Sequence, residues 1–439
     1  MRFSSLSQWL DWQKISHVRT IDLSLDRVEI VYARIAVAYH PFTMTVSGTN
    51  GKGSTIAFLD SILRQQGYRV GTYTSPHIVN YNERIRINGT PVDDASICSA
   101  FERIDGVRDD ISLSFFEFGT LAALDIFSRN RVDVQLLEVG LGGRLDAVNV
   151  VDADIPIVTN ISIDHVFWLG KTRDEISLEK AGVMRSGVAA VVGDPDPPQA
   201  LLKWTEINAV PVSLLNREYR FECNPESWSW YGTAQQYTHL PLPGLRGPHQ
   251  FQNVAAVLQA LSLISDKLPV SEQSIRDGVE QARLPGRFQY IGSKSGRGSE
   301  PAVLIDVAHN PHSAALLAQN IQQNYPDRRL LALFSVMADK DIAIIVDHMK
   351  DLVEKWYPVP LEIERAASTD EIIAVLLHCG VENYSKQLQN FDDAWDAVAE
   401  DATNSQDIIL IFGSFFLVSE YFQRHLTHLE TGSARGTET

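Results

Sequence analysis

The sequence predicts an α/β protein of two domains, the larger N-terminal one built on a parallel sheet and the smaller C-terminal one Rossmann-like. Three observations carry this. Short apolar, β-branched runs alternate with stretches of helical period, the pattern of βαβ units. The first run empties into a glycine-rich turn that opens a helix. A small, polar, glycine-rich stretch, Ile291 to Glu300, separates this series from a second one. The domains expected are 1–290 and 301–425, with 291–300 as linker and 426–439 as a disordered tail rich in Gly, Ser and Thr.

The elements follow in order. Residues 1–40 carry helical spacing, in Leu6, Leu10 and Ile15 and again in Val28, Val31 and Ile35. Phe42 to Val46 reads as a buried strand. After the turn Gly48–Gly53, residues Ile56, Leu59, Ile62 and Leu63 recur at helical spacing up to Gly67, a C-terminal stop. Tyr68–Tyr73, Val134–Leu137, Ile155–Val158 and Val188–Val192 read as further strands. Beyond the linker, Ala302–Ile305, Leu330–Phe334 and Ile408–Phe412 do the same, with helical stretches between them.

Composition narrows the function classes. With 55 acidic against 38 basic residues, the formal net charge of −17 repels phosphate backbones, so nucleic acid is not an expected partner. The longest apolar run, Ile408–Val418, is interrupted by Gly413 and Ser414 and falls short of a membrane span. Met1-Arg2-Phe3-Ser4 lacks the apolar stretch of a secretory signal, so a cytoplasmic location is expected. The three cysteines, Cys98, Cys223 and Cys379, are far apart without CxxC spacing, and read as core thiols rather than a disulfide framework or thiolate zinc site.

The strongest local motif is Gly48-Thr49-Asn50-Gly51-Lys52-Gly53-Ser54-Thr55, between a strand and a helix. Glycines let backbone N–H groups converge on phosphate oxygens, the helix N-terminus adds its positive dipole end, and Lys52 supplies an ammonium. The pattern departs from the Walker form: Val46 stands where its first glycine would be, and Gly53 follows the lysine. The bland alternative is a tight strand–helix turn with a solvated lysine. The phosphate reading makes the first domain a P-loop-type ATPase domain, with Thr49, Asn50, Gly51, Lys52, Gly53 and Ser54 around the nucleotide.

At this segment the sequence resembles the Mur-ligase superfamily, and within it the folylpolyglutamate and dihydrofolate synthases. Ser75-Pro76-His77, Glu83-Arg84-Ile85-Arg86, Phe116-Glu117-Phe118-Gly119-Thr120 and Glu138–Ala147 support the match. So do Asp164-His165, Glu179-Lys180-Ala181-Gly182, His249–Asn253, Pro285-Gly286-Arg287-Phe288 and Asp306–Pro311. The blocks stand in the family's order over roughly residues 20 to 415, and the ordered set is specific where each block alone is weak.

The resemblance implies ATP-driven amide bond formation: ATP phosphorylates a carboxylate and the amine of L-glutamate attacks the acyl phosphate. Clustered negative charge calls for Mg²⁺ on a few oxygen ligands and phosphates. By similarity Ser75, Glu138, His165 and Lys180 hold it, Lys180 as a carbamate, with Lys52, Lys180 and His165 as catalytic residues. Taken alone, Ser75 also reads as a turn cap, His165 as a core histidine, and Lys180 as a solvent-facing helix lysine. Carbamylation requires a neutral amine, hence burial or nearby cations. Asn253, Arg287 and Asp306 match nucleotide contacts drawn from both domains, so that closure over ATP completes the site. K⁺ is a further cation candidate, and His309 and Asn310 match the family without an assigned role.

For the acceptor, the stretch Thr20–Leu25 resembles the pterin-side loop of the bifunctional bacterial enzymes, which act on 7,8-dihydropteroate as well as reduced folates. The implied pteroate contacts are Asp22, Leu23, Ser114, Phe115, Phe116, Glu117, Leu145, Asp146 and Ala147. Phe115 and Phe116 read equally well as core. Ser114 stands where Thr is usual, Ser335 where relatives commonly have Gly, and Phe416 replaces the His of a Phe-His pair. A monomer is expected. Rival readings are a tail-extending synthase alone, a peptidoglycan-precursor ligase, and a P-loop switch protein. The second would want a further N-terminal domain, and only 47 residues precede Gly48.

Overall fold

A computed structural model describes residues 2–19, 21–292, 301–404 and 406–425. The chain divides into two compact units, one of residues 1–245 and 249–284, the other of residues 246–248 and 285 onward. The change of unit after Leu284 precedes the glycine-rich stretch. Of the expected linker, 293–300 lies outside the described residues, as does the expected tail 426–439.

The strands in chain order are β1 Phe42–Ser47, β2 Val70–Tyr73, β3 Ile85–Ile87, β4 Thr90–Pro91, β5 Val134–Glu138, β6 Ile155–Val158, β7 Ala190–Val192 and β8 Val212–Leu214. They form one sheet in the order β4-β3-β2-β5-β1-β6-β7-β8. β2, β5, β1, β6, β7 and β8 run parallel, while β3 and β4 form an antiparallel edge. The period of two sorts the strand side chains onto two faces. Leu137, Val158 and Val192 join one core with helices Asp26–Ile35 and Phe115–Arg129. Leu136, Ile157 and Val191 join the other with helices Lys52–Gln66 and Pro248–Leu263. Because both faces are covered, β6 and β7 are apolar throughout, whereas β1 alternates, with Thr43, Thr45 and Ser47 as buried polar residues.

Three differences from the sequence reading have local causes. Residues 1–40 hold two helices, Leu6–Ser16 and Asp26–Ile35, and the residues described between them (17–19 and 21–25) are not helical. A second, antiparallel sheet of β9 Arg220–Cys223, β10 Trp228–Tyr231 and β11 Gln236–Leu240 was not anticipated. Its strands are short and bounded by polar turns, and Trp228 and Trp230 are buried against Phe251 and Tyr237. The reading of three core thiols is corrected: Cys98 is buried, Cys379 is half-buried and Cys223 is exposed, because β9 lies on the open side of this small sheet.

Helix Glu272–Gln281 packs on helix Lys52–Gln66, which follows the glycine-rich loop, through Gly278. A methyl group there would lie 2.5 Å from Ile62 Cα and 2.7 Å from Ile62 N. Alanine would gain about 1 kcal/mol of helix propensity. Overpacking against backbone costs about 1–3 kcal/mol or more and should win. Gly278→Ala is therefore expected to lower the thermal midpoint by a few degrees; an unchanged or raised midpoint would contradict the close packing.

The second unit holds β12 Gln289–Ile291, β13 Ala302–Ile305, β14 Arg329–Phe334, β15 Val353–Pro358 and β16 Asp407–Phe412, in the order β12-β13-β16-β14-β15. All but β12 are parallel. Its core gathers Leu304, Phe334, Trp356 and Phe412.

Candidate active site

In open parallel sheets the crevice at the carboxyl ends of the strands is where ligands bind. Here β5, β1 and β6 are neighbours, and each ends in predicted or unpredicted site residues. β1 runs into Gly48, β5 ends on Glu138, and β6 is followed by Thr159 and Asn160.

The glycine-rich loop is held by the residues that follow β6. Asn160 accepts from Thr49 N at 2.9 Å through its backbone oxygen and from Asn50 N at 2.8 Å through its side chain. Thr159 Oγ1 donates to Asn50 O at 2.6 Å, and Thr49 Oγ1 donates to Ser162 O at 3.0 Å. Gly51, at φ +85°, takes the left-handed turn that starts helix Lys52–Gln66, and a side chain there would strike Asn253 Oδ1. Lys52 Nζ donates to Gly48 O at 3.0 Å and Thr49 O at 3.2 Å, so the ammonium curls over the loop itself. Sequence reasoning missed Thr159 and Asn160. Two polar residues after a strand read as an ordinary loop, and only the β1–β6 pairing brings them under Thr49.

Asn253 reaches the same helix start. Its Nδ2 donates to Gln250 Oε1 at 3.0 Å, and Gln250 lies 3.4 Å from Ser54 Oγ. Beside the loop, Glu138 is 6% exposed and its Oε2 accepts from Ser75 N at 3.1 Å. Glu138 and Ser75 therefore share one corner, beside the first turn of the phosphate helix.

Lys180, on helix Arg173–Ala181, is 2% exposed. Burial, and after it the charge of Lys52, push its ammonium down to about 7, against the pull of Asp164 and Asp146. It is not the solvated helix lysine of the bland reading. His165 adopts φ +50° at the start of the short helix Val166–Leu169, its backbone N–H donating to Asp164 Oδ1 at 2.8 Å. Among the described residues no three of His, Cys, Asp and Glu cluster as a metal site. The ligand set Ser75, Glu138, His165 and Lys180 contains only two such residues, so it is compatible with that absence.

The implied pteroate contacts lie on the face of the sheet covered by helix Phe115–Arg129. Ser114 and Glu117 close a capping box on that helix: Ser114 Oγ accepts from Glu117 N at 3.3 Å and Glu117 Oε2 from Ser114 N at 2.6 Å. Phe115 and Phe116 are half-buried, Phe115 edge-on to Tyr81 at 5.5 Å and Phe116 tilted at 5.8 Å from Tyr73. Asp146 is 3% exposed and organises its own turn, accepting from Leu141 N at 2.8 Å and Val148 N at 3.0 Å. Burial lifts its carboxyl to about 6 against those two bonds. Leu145 is half-buried and Ala147 buried beside it, and Leu23 and Asp22 are half-buried in the N-terminal loop, whose Thr20 lies outside the described residues.

In the second unit Asp306 follows β13 and is satisfied by backbone: Oδ2 accepts from Phe288 N at 2.8 Å and Oδ1 from Ala308 N at 2.7 Å. Burial raises its pKa and Arg287 opposes the rise. Arg287 lies over the ring of Phe415 at 5.1 Å, and His309 lies 6.0 Å from the same ring. Asn310 caps helix Pro311–Asn324.

Residues 286–415 match the family model described as Mur ligase, glutamate ligase domain. Over 421 residues the chain is 40% identical to the dihydrofolate synthase/folylpolyglutamate synthase of Escherichia coli K12, covering 96% of this chain and 95% of that one. The solved structure of E. coli FolC in complex with DHPP and ADP superposes with a TM-score of 0.89 at 40% identity, covering 97% of this chain and 99% of that one. A bifunctional folylpolyglutamate synthase/dihydrofolate synthase solved with Mn, AMPPNP and L-glutamate bound gives 0.87 at 38% identity, over 96% and 98%.

Proposed function

From the premise that this chain belongs to the dihydrofolate synthase/folylpolyglutamate synthase family, we propose that it joins L-glutamate to 7,8-dihydropteroate and extends reduced folates with further glutamates, at the expense of ATP. The observation that carries the reading is the crevice at the ends of β5, β1 and β6, where a glycine-rich loop, a buried acid and a buried lysine of depressed pKa lie together.

The residues divide the work by charge. Backbone amides of Thr49–Ser54 and the ammonium of Lys52 hold the nucleotide phosphates. Asn253 in the larger unit, and Arg287 and Asp306 in the smaller, are nucleotide contacts. Ser75, Glu138, His165 and Lys180, the last as a carbamate, would hold Mg²⁺, which would supply positive charge to offset that of the phosphates. Neutral Lys180 is the form that takes up CO₂, and its burial beside Lys52 supplies that form near neutrality. K⁺ is a further cation for this site. Asp22, Leu23, Ser114, Phe115, Phe116, Glu117, Leu145, Asp146 and Ala147 shape the pterin pocket, with Phe116 as an aromatic platform. The chain works as a cytoplasmic monomer; no helix among the described residues is long and apolar enough to cross a membrane.

The test is ADP release with ATP, Mg²⁺ and glutamate, with and without dihydropteroate or a reduced folate monoglutamate. Acceptor-dependent turnover with both is expected. Turnover with folate alone would reduce the protein to a tail-extending synthase, and acceptor-independent hydrolysis would favour a nucleotide switch.

Asp146→Ala separates the acceptors. It leaves two backbone N–H groups unpaired, at about 1–3 kcal/mol each, and distorts the turn beside Phe116. A loss of roughly tenfold or more in kcat/KM for dihydropteroate is expected, since about 1.4 kcal/mol is tenfold. Folate extension should fall less and ATP affinity should hold. Equal loss of both activities together with ATP binding would remove Asp146 from the pterin pocket.

A further inference from the structure

Two residues to which no role has yet been given tie the N-terminal loop to the start of helix Phe115–Arg129. Arg27, in the first turns of helix Asp26–Ile35, places NH2 2.8 Å from Glu117 Oε1 and NH1 3.2 Å from Asp22 Oδ2. The same NH2 lies 3.4 Å from Asp22 O. His17, just past helix Leu6–Ser16, sits between Ser112 Oγ at 2.9 Å from Nδ1 and Asp22 Oδ2 at 3.1 Å from Nε2. Since Asp22 accepts, Nε2 carries a proton and the Ser112 hydroxyl serves Nδ1 when the ring is neutral.

The result is a continuous network, Ser112–His17–Asp22–Arg27–Glu117–Ser114, linking two stretches far apart in sequence, 17–27 and 112–117. Glu117 is 2% exposed, with one oxygen on the Ser114 amide and the other on Arg27. A buried carboxylate in this position needs a cation. One guanidinium satisfies it and the Asp22 carboxylate together, in the fork geometry an ammonium lacks. Burial raises the cost of charge on Asp22, and His17 and Arg27 outweigh it.

We infer that Arg27 and His17 are positioning residues for the pterin pocket: by clamping Asp22 to Glu117 and Ser112 they hold the N-terminal loop against the first turn of helix Phe115–Arg129 in the geometry that accepts dihydropteroate. The inference rests on the pterin reading of Asp22, Ser114 and Glu117. It is distinct from a merely structural ion pair because what it fixes is the distance between two walls of one pocket, and only the acceptor senses that distance.

Kinetics of Arg27→Gln, Arg27→Lys and His17→Asn test it, with KM and kcat for dihydropteroate, KM for ATP and glutamate, and thermal midpoints on the same preparations. In Arg27→Gln, loss of the charged bridge should raise the dihydropteroate KM about tenfold or more. Its kcat should stay within about threefold and the ATP and glutamate KM near wild type. Arg27→Lys, able to reach one carboxylate at a time, should fall between wild type and Arg27→Gln, and His17→Asn should shift KM in the same direction by less. If Arg27→Gln does not fold, Arg27→Lys and His17→Asn carry the same test. Unchanged dihydropteroate KM in the folded variants, or equal rises in the KM of acceptor and ATP alongside a lowered midpoint, would overturn the inference. Wild-type protein unable to use dihydropteroate would instead sink the underlying functional reading.

Discussion

Lys180→Ala is expected to leave a folded protein almost devoid of ligase activity. Alanine cannot form the carbamate proposed to complete the Mg²⁺ ligand set, and the loss of such a group typically costs several orders of magnitude. Folding should survive, because the substitution removes a buried cation as well as packing. Acetate or formate at high concentration should restore part of the activity by occupying the vacated position. The linkage has a definite sign. Lys180 titrates near 7 when folded and near the usual 10.5 when unfolded. Between those values the unfolded chain binds the extra proton, so this group makes wild-type stability rise with pH across that window and fall as pH drops toward 7. In CO₂-free buffer the stability of wild type relative to Lys180→Ala should therefore rise from pH 7 to pH 9. Denaturant midpoints of both proteins at the two pH values measure it. A bare ammonium at Lys180 in a high-resolution map of crystals grown with bicarbonate and Mg²⁺-ATP would defeat the carbamate, as would wild-type ligation by the mutant.

How much of this site can be read along the chain depends on whether its determinants are contiguous. The strand–loop–helix arrangement of the glycine-rich loop is legible because strand, glycines, lysine and helix follow one another closely, each with its own local signal. Glu138 is legible in part, as a carboxylate directly after a buried apolar run. Lys180 is not: nothing in its neighbours announces a lysine that is 2% exposed, and only register with a known family singled it out. Thr159 and Asn160 were invisible because what they hold is the loop after β1, 110 residues upstream in the Asn160–Asn50 bond. Arg27 carries no signal of its own along the chain and Glu117 was singled out only by the family resemblance; the two, 90 residues apart, become a pair only when their helices pack on one sheet face. The parallel sheet itself came from period and apolar runs. The small antiparallel sheet around Trp228 and Trp230 escaped because strands of four or five residues carry too few positions to establish a period.

Lys52→Ala should be the second severe loss, by two routes that can be told apart. The first is direct: an ammonium that holds phosphate, the role proposed for Lys52, contributes about 1.5–3 kcal/mol per charge-assisted bond in the ground state, and its removal costs about 10²–10³ in kcat at the transition state. ATP affinity should fall roughly 10- to 100-fold on the ground-state term alone. The second route runs through Lys180. The charge of Lys52 is, after burial, the main influence holding the Lys180 ammonium down near 7. Without it the Lys180 pKa rises, less neutral amine is present at a given pH, and carbamylation demands more CO₂. Lys52→Ala should therefore need more bicarbonate than wild type to reach its own, lower, maximum, while Lys52→Arg, which keeps the charge but not the shape, should keep the wild-type bicarbonate dependence with reduced turnover. The loop itself should persist without the bonds from Nζ to Gly48 O and Thr49 O, since Thr49 and Asn50 remain held by Asn160 and Thr159. Titrating bicarbonate at saturating ATP in the three proteins separates the routes. Wild-type-like turnover in Lys52→Ala would remove the loop lysine from the mechanism, and an unchanged bicarbonate dependence would leave the phosphate role standing while breaking its electrostatic link to Lys180.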